Sequence, residues 1–134
     1  MAKQYRTREG EATAVDTKSQ LSTLGSETAP GPLLVPAGVS KLVEIIVAVS
    51  QNFAAATSFS GFIRLEGAGL PGGPETFAVA AGGAAVATGG NNANVAIVIP
   101  VDVSVTPANE ILLFAEMAGT DVGQMSTAVT LIFA

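Results

Sequence analysis

From position 95 to position 105 every second residue is β-branched and aliphatic: Val95, Ile97, Ile99, Val101, Val103 and Val105, with Ala96, Val98, Pro100, Asp102 and Ser104 between them. A two-residue period puts each set on its own side of an extended chain, so this stretch is a strand with an apolar inner face. A helix would scatter the same residues around its circumference. Pro100 has no N–H to give to a ladder, which places the strand at a sheet edge or at a bulge.

The same period recurs along the chain. In residues 39–50, Val43, Ile45, Val47 and Val49 fall on one face and Leu42, Glu44, Ile46 and Ala48 on the other, a strand covered on both sides. In residues 58–66, Phe59, Ile63 and Leu65 oppose Phe62, Arg64 and Glu66. Residues 76–81, 110–118 and 125–134 read as further strands. Turn residues separate them at 30–32, 36–38, 67–74, 82–94, 106–109 and 119–123. No segment has the i, i+3, i+4 apolar spacing and caps of a helix, and Gly82-Gly83 interrupts the alanine-rich residues 78–87. Six or seven strands in about 105 residues predict an all-β fold, an antiparallel β-sandwich of jelly-roll-like form.

Residues 1–29 differ in texture. They are rich in Thr, Ser, Glu and Gln, with isolated apolar residues at Tyr5, Val15, Leu21 and Leu24 and a basic triplet of Lys3, Arg6 and Arg8. On composition this is an extended N-terminal arm ahead of a body spanning 30–134. A neighbouring copy is the expected holder of such an arm; the alternative is that it folds back as an edge strand on its own domain. Removing residues 1–26 is accordingly expected to leave the body folded and to weaken assembly.

Charge narrows the function. Charged residues are 13% of the chain, against about 25% in soluble domains. The exposed faces must then be dressed with Ser, Thr, Asn and Gly, or be covered by neighbouring subunits. Net charge is −5, with +3 in the first eight residues and −6 from Glu27 onward. An acidic body does not coat nucleic acid, and three basic residues neutralise few phosphates, so an arm that meets solvent or a sister subunit is preferred to one that meets a genome. The chain has no Cys and no His, which excludes disulfides and thiolate metal sites and removes the commonest general base. No apolar stretch follows the basic residues at the N-terminus as in a secretory signal. No apolar run approaches the ~20 residues of a membrane-spanning helix. Synthesis in the cytoplasm is expected.

The remaining chemical candidates are weak on spacing. Ser40-Lys41 and Lys18-Ser19 are adjacent pairs, which a strand turns to opposite faces. Glu110 and Glu116 share a strand face but stand ~20 Å apart along it. Asp121 and Asn109 are candidate calcium ligands in loops, without the alternating carboxylates of a calcium-binding loop. Gly67-Ala68-Gly69-Leu70-Pro71-Gly72 spells a dinucleotide-binding fingerprint, but Pro71, Gly73 and Pro74 forbid the helix that fingerprint must open; the run is a turn or a surface loop. The expectation is a protein that is not an enzyme, with no cofactor and no metal.

The run Leu33-Leu34-Val35-Pro36-Ala37-Gly38-Val39 leading into residues 41–49, and Thr106-Pro107-Ala108-Asn109-Glu110-Ile111-Leu112-Leu113-Phe114 followed later by residues 127–133, resembles small single jelly-roll viral coat and virion-decoration proteins. That resemblance implies a subunit of a virion shell whose partners are copies of itself and other virion proteins, laced together by arms, and a location in the virion. Its body is short for eight strands. The alternative reading is a non-catalytic β-sandwich module that recognises a glycan or receptor through the loops 67–74 and 82–94, although Trp, the usual sugar platform, is missing.

Overall fold

A computed structural model of the chain describes residues 3–12, 17–22, 31–53, 59–81, 92–119 and 123–134. Among these lie nine strands: β1 (Gln4–Ala12), β2 (Ser19–Gln20), β3 (Leu33–Leu34), β4 (Lys41–Phe53), β5 (Phe59–Glu66), β6 (Glu75–Ala81), β7 (Asn92–Ser104), β8 (Glu110–Gly119) and β9 (Gly123–Phe133). They form two antiparallel sheets, ordered β1-β9-β4-β7 and β2-β8-β5-β6, with β3 also paired to β8. With β3 set aside, the remaining eight strands pair first with last, second with seventh, third with sixth and fourth with fifth. That nested pairing, folded over on itself, is the jelly-roll connectivity of a β-sandwich.

The inner faces carry the alternation expected of them. Leu42, Ile45, Val47 and Val49 of β4, Met125, Val129, Leu131 and Phe133 of β9, Ile63 and Leu65 of β5, and Ile111, Leu113, Ala115 and Met117 of β8 are all buried in one core. Burying each large aliphatic side chain is worth about 1.5–3 kcal/mol, which is what holds the two sheets face to face. Ile97, Ile99, Val101 and Val103 pack against the core from β7, which is an edge strand, one of the two places that Pro100 allows. On β4 the sequence phase needs correction. Leu42, expected on the face opposite Ile45, is fully buried beside it: against β9 a register shift between Leu42 and Glu44 leaves Val43 as an extra residue, while against β7 the extra residue lies on β7, between Pro100 and Val103. A bulge of this kind reverses the facing of everything before it.

The N-terminal segment departs from its reading as a separate arm. β1 pairs with β9 of the same chain from Gln4↔Phe133 to Ala12↔Met125, and β2 pairs with β8. Residues 1–29 therefore contribute the first two strands of the jelly roll, one to each sheet, which supplies the full set of eight. The two are stitched together: Glu9 N–H donates to Ser22 O at 2.9 Å, Ser22 N–H to Glu9 O at 2.7 Å, and Leu21 N–H to Leu113 O at 2.8 Å. Leu21, fully buried, seats against Gly10, where a β-carbon would lie 3.0 Å from its Cδ2. One side of the sandwich is closed by this seam.

The Gly-rich turn after β5 is fixed to β8. Gly67 has φ +120°, and a side chain there would meet Glu110 O at 2.5 Å; Gly69 N–H donates to that same carbonyl at 2.8 Å. Leu70 is buried beneath the turn, so Gly67, Gly69 and Leu70 fasten the loop to β8 and the core, while Ala68, Pro71 and Gly72 stay exposed. No helix opens there, and strand β6 follows.

Leu21→Ala is expected to destabilise the protein by about 2–5 kcal/mol, the range for emptying a fully buried leucine site. Deleting residues 1–12 is expected to abolish cooperative unfolding, because it uncovers the outer edge of β9. Urea denaturation followed by far-ultraviolet circular dichroism checks both.

Candidate assembly surface

The residues expected to form an assembly arm do not share one surface. Lys3 is exposed just before β1. Tyr5 lies on the outer face of the first sheet, 56% exposed, beside Ile132 in register. Arg6 and Arg8 belong to the opposite, inward side of β1, in phase with Leu131 and Val129. The Arg8 guanidinium is spread over backbone carbonyls: Nε donates to Gly31 O at 2.6 Å, Nη1 to Thr7 O at 2.8 Å and Nη2 to Pro32 O at 3.3 Å. Burial, and then the neighbouring Arg6 charge, pull its pKa below the ordinary value; a guanidinium nevertheless stays charged at any working pH. Arg6 donates to Tyr5 O at 2.8 Å. Leu21 is a core residue, and Val15 and Leu24 lie outside the described residues. The basic triplet is thus divided between solvent and the seam that pins β1 to the segment preceding β3.

Register, which no single segment reveals, assembles a different surface on the outer face of the first sheet. Across β1, β9, β4 and β7 the cross-strand partners fall into rows. One row is Tyr5, Ile132, Glu44 and Pro100; the next is Thr7, Thr130, Ile46 and Val98; then Glu9, Ala128, Ala48 and Ala96; then Glu11, Ser126 and Ser50. The first two rows are bulky and the last two are small. Over the small rows the surface falls into an open groove of about 510 Å³ lined by Glu9, Ala48, Ser50, Ala96, Ser126 and Ala128. Of the exposed large hydrophobic residues among those described, Tyr5 and Val98 (58%) both stand on the bulky half. Hydroxyls knit the surface: Thr7 and Thr130 share a hydrogen bond of 2.9 Å, and Ser126 donates to Glu11 Oε1 at 3.3 Å. Lys41 and Asp102 form an ion pair at the margin, beyond the bulky rows.

The outer face of the second sheet is organised around charge. Lys18 Nζ donates to Glu66 Oε2 at 2.7 Å, and Arg64 Nε donates to the same oxygen at 2.8 Å. The Lys18 ammonium also sits 4.8 Å from the centroid of the Phe114 ring, within cation–π range. The hydrogen bond from Lys18, aided by Arg64 and opposed by desolvation, lowers the Glu66 pKa below the usual carboxylate value. These pairs engage Lys18 and Lys41, the two lysines that adjoin a serine in sequence. Among the described residues no group of three or more His, Cys, Asp or Glu is arranged to hold a metal ion, and Asp121 lies outside them. No helix among the described residues is long and apolar enough to cross a membrane.

No protein-family model and no curated protein matches the chain. Among solved structures it is similar to part of dimeric latent PorU from Porphyromonas gingivalis, at 11% identity and TM-score 0.46, covering 98% of this chain and 12% of that one. It is also similar to part of a chain in the structure of infectious bursal disease virus, Gt strain, at 17% identity and TM-score 0.35, covering 98% of this chain and 35% of that one. The chain therefore spans about an eighth and a third of these two neighbours.

The Glu66 pairs are expected to show in the pH dependence of stability. A carboxylate whose pKa is lower folded than unfolded stabilises the fold above the unfolded value, and that gain fades as pH falls through the folded value. Glu66→Gln is therefore expected to lose about 0.5–1 kcal/mol at pH 7, the scale of exposed ion pairs, and to match the wild type once both carboxylate forms are protonated. Thermal unfolding of the two proteins across pH 2–7 checks this.

Proposed function

We propose that this chain is a structural protein that self-assembles into a virion shell, as a coat or a decoration subunit, by packing its β-sandwich against copies of itself. The observation that carries the reading is the outer face of the first sheet. Thr130, Ile46, Val98, Ala128, Ala48 and Ala96 make an uncharged strip across three strands, with the exposed Val98 at its edge. A solvated sheet face ordinarily alternates charged and polar residues, whereas a strip of this kind suits coverage by another protein surface. The low charged share of the whole chain, 13%, agrees with a molecule that spends little of its surface on water.

Jelly rolls serve as capsid, lectin and cupin domains alike, so the fold alone does not choose among them. The choice rests on the chemistry present. The loop 67–74 is tied to β8 through Gly67 and Gly69, while the exposed residues Ala68, Pro71 and Gly72 bring no aromatic platform to a binding site. Exchange of the N-terminal segment between copies would transfer β1 to the β9 edge of a neighbour, replacing the intrachain pairing strand for strand. Such exchange is a low-cost route by which identical domains interlock.

Size-exclusion chromatography with light scattering on the full chain is expected to give a mass that is a multiple of 13.4 kDa and rises with concentration. A concentration-independent monomer up to millimolar protein overturns the proposal.

A further inference from the structure

We infer that two copies pair through the outer faces of their first sheets about a two-fold axis that lies in the interface plane, parallel to the cross-strand rows, between the row of Thr7, Thr130, Ile46 and Val98 and the row of Glu9, Ala128, Ala48 and Ala96. This rests on the reading of the chain as self-associating and names the surface and geometry by which it does so.

The argument is self-complementarity. An isologous contact uses the same patch twice, so a patch that is raised on one half and hollow on the other fits itself only under the rotation that lays raised on hollow. The first sheet has this form: bulky rows on one half, and over the other a groove floored by Ala48, Ala96 and Ala128. Rotation about the stated axis keeps each strand over its own counterpart and reverses the rows. Ile46 then faces Ala48 of the partner subunit, Val98 faces the partner's Ala96, and Thr130 faces the partner's Ala128. The charges agree as well. Glu9 faces the partner's Thr7, Glu11 the partner's Tyr5, and Glu44 the partner's Ser50, so every carboxylate in the patch meets a hydroxyl that can donate to it and none meets another carboxylate.

The other in-plane axis, along the strands, fails on the same grounds. It lays Thr130 on Ile46, leaves the alanine rows facing each other across a void, and sets Glu44 on Ile132. A buried carboxylate without a donor is costly, and so is an unfilled gap. Row and strand spacings of ~6.8 Å and ~4.8 Å give a flat footprint of about 500 Å² per copy, about 1,000 Å² over both, the lower bound for a specific interface before side-chain relief is added. Two sheets related by this axis also cross at a small angle set by their twist, as aligned sheets do.

Two substitutions on β4 test the pairing, read by sedimentation velocity over a concentration series. Ala48 is exposed, so Ala48→Ile keeps the monomer fold, with circular dichroism and the melting temperature as controls, but sets the introduced isoleucine side chain against the partner's Ile46 twice per dimer. The dissociation constant is expected to rise about tenfold or more. The double variant Ile46→Ala with Ala48→Ile exchanges raised and hollow positions and is expected to return to within about threefold of the wild type. A wild-type protein that is monomeric throughout overturns both this pairing and the self-assembly reading. A wild type that associates, with both variants unchanged, overturns this face alone and leaves self-assembly standing. Weakening in the single variant without recovery in the double overturns the row register.

Discussion

The fold depends on the pairing of β9 with both β1 and β4. The last strand of the chain is the second of four in its sheet, gripped from Gln4↔Phe133 to Ala12↔Met125 on one side and from Leu42↔Phe133 to Phe53↔Gly123 on the other. Its inward residues, Met125, Val129, Leu131 and Phe133, are fully buried. A core so built cannot close until β9 is present, because each contact of β1 with β9 spans more than a hundred residues. Loop-closure entropy must be met before such contacts return any stabilisation, which marks the molecule as a slow folder among domains of its size.

Two local devices make that closure specific. The extra residue at Val43 resets the phase of β4, so that Leu42 and Ile45 can both face the core while Glu44 and Ile46 face outward. Without it the strand would present Leu42 to solvent or Ile45 to the outer face. The second device is the meeting of Gly10, Leu21 and Ser22. Gly10 removes a side chain at the point where Leu21 reaches the core, and the reciprocal bonds of Glu9 with Ser22 lock the two segments edge to edge. A hydrophobic side chain from one sheet's edge thereby fills the space beneath the other's.

Much of this was legible in the sequence because alternation is a local signal. The strands β4 to β9 all fall within a few residues of the stretches read as strands, and β7, where Pro100 points to an edge or a bulge, is an edge strand with a register shift next to Pro100. β1 enters the sequence reading only as the alternative, an edge strand, because its inward positions are Gln4, Arg6, Arg8, Gly10 and Ala12, with no apolar pattern to see; its place is set by β9 and by Leu21, not by its own hydrophobicity. The bulge at Val43 escapes because one inserted residue leaves the composition of a strand unchanged. For the candidate surface the limit is stricter. Ala48, Ala96 and Ala128 are ordinary in their own segments, and only the pairing of β4 with β7 and β9 brings them into one row. Tyr5 and Leu21, grouped by sequence as arm residues, are separated by the fold to an outer face and the core.

The edges of the first sheet are poor places for a second chain to add a strand. A free strand edge invites a second chain to extend the ladder, and natural sheets blunt that invitation with proline and with inward-pointing charge. β7 carries Pro100 in mid-strand, which removes a donor from its backbone. β1 turns Arg6 and Arg8 inward and is bridged at Glu9 to Ser22, so part of its outer edge is already taken. Both edges are thereby discouraged, while the face between them holds alanine, threonine, serine and isoleucine and confines its acids to β1 and Glu44. Hydroxyls on that face serve two masters: in water they are solvated, and against another surface they donate to carboxylates without the desolvation cost of a full counter-charge. A chain with only six basic residues has few salt bridges to spare for an interface. In the pairing proposed above, its acids would meet hydroxyls of the second copy in place of counter-charges.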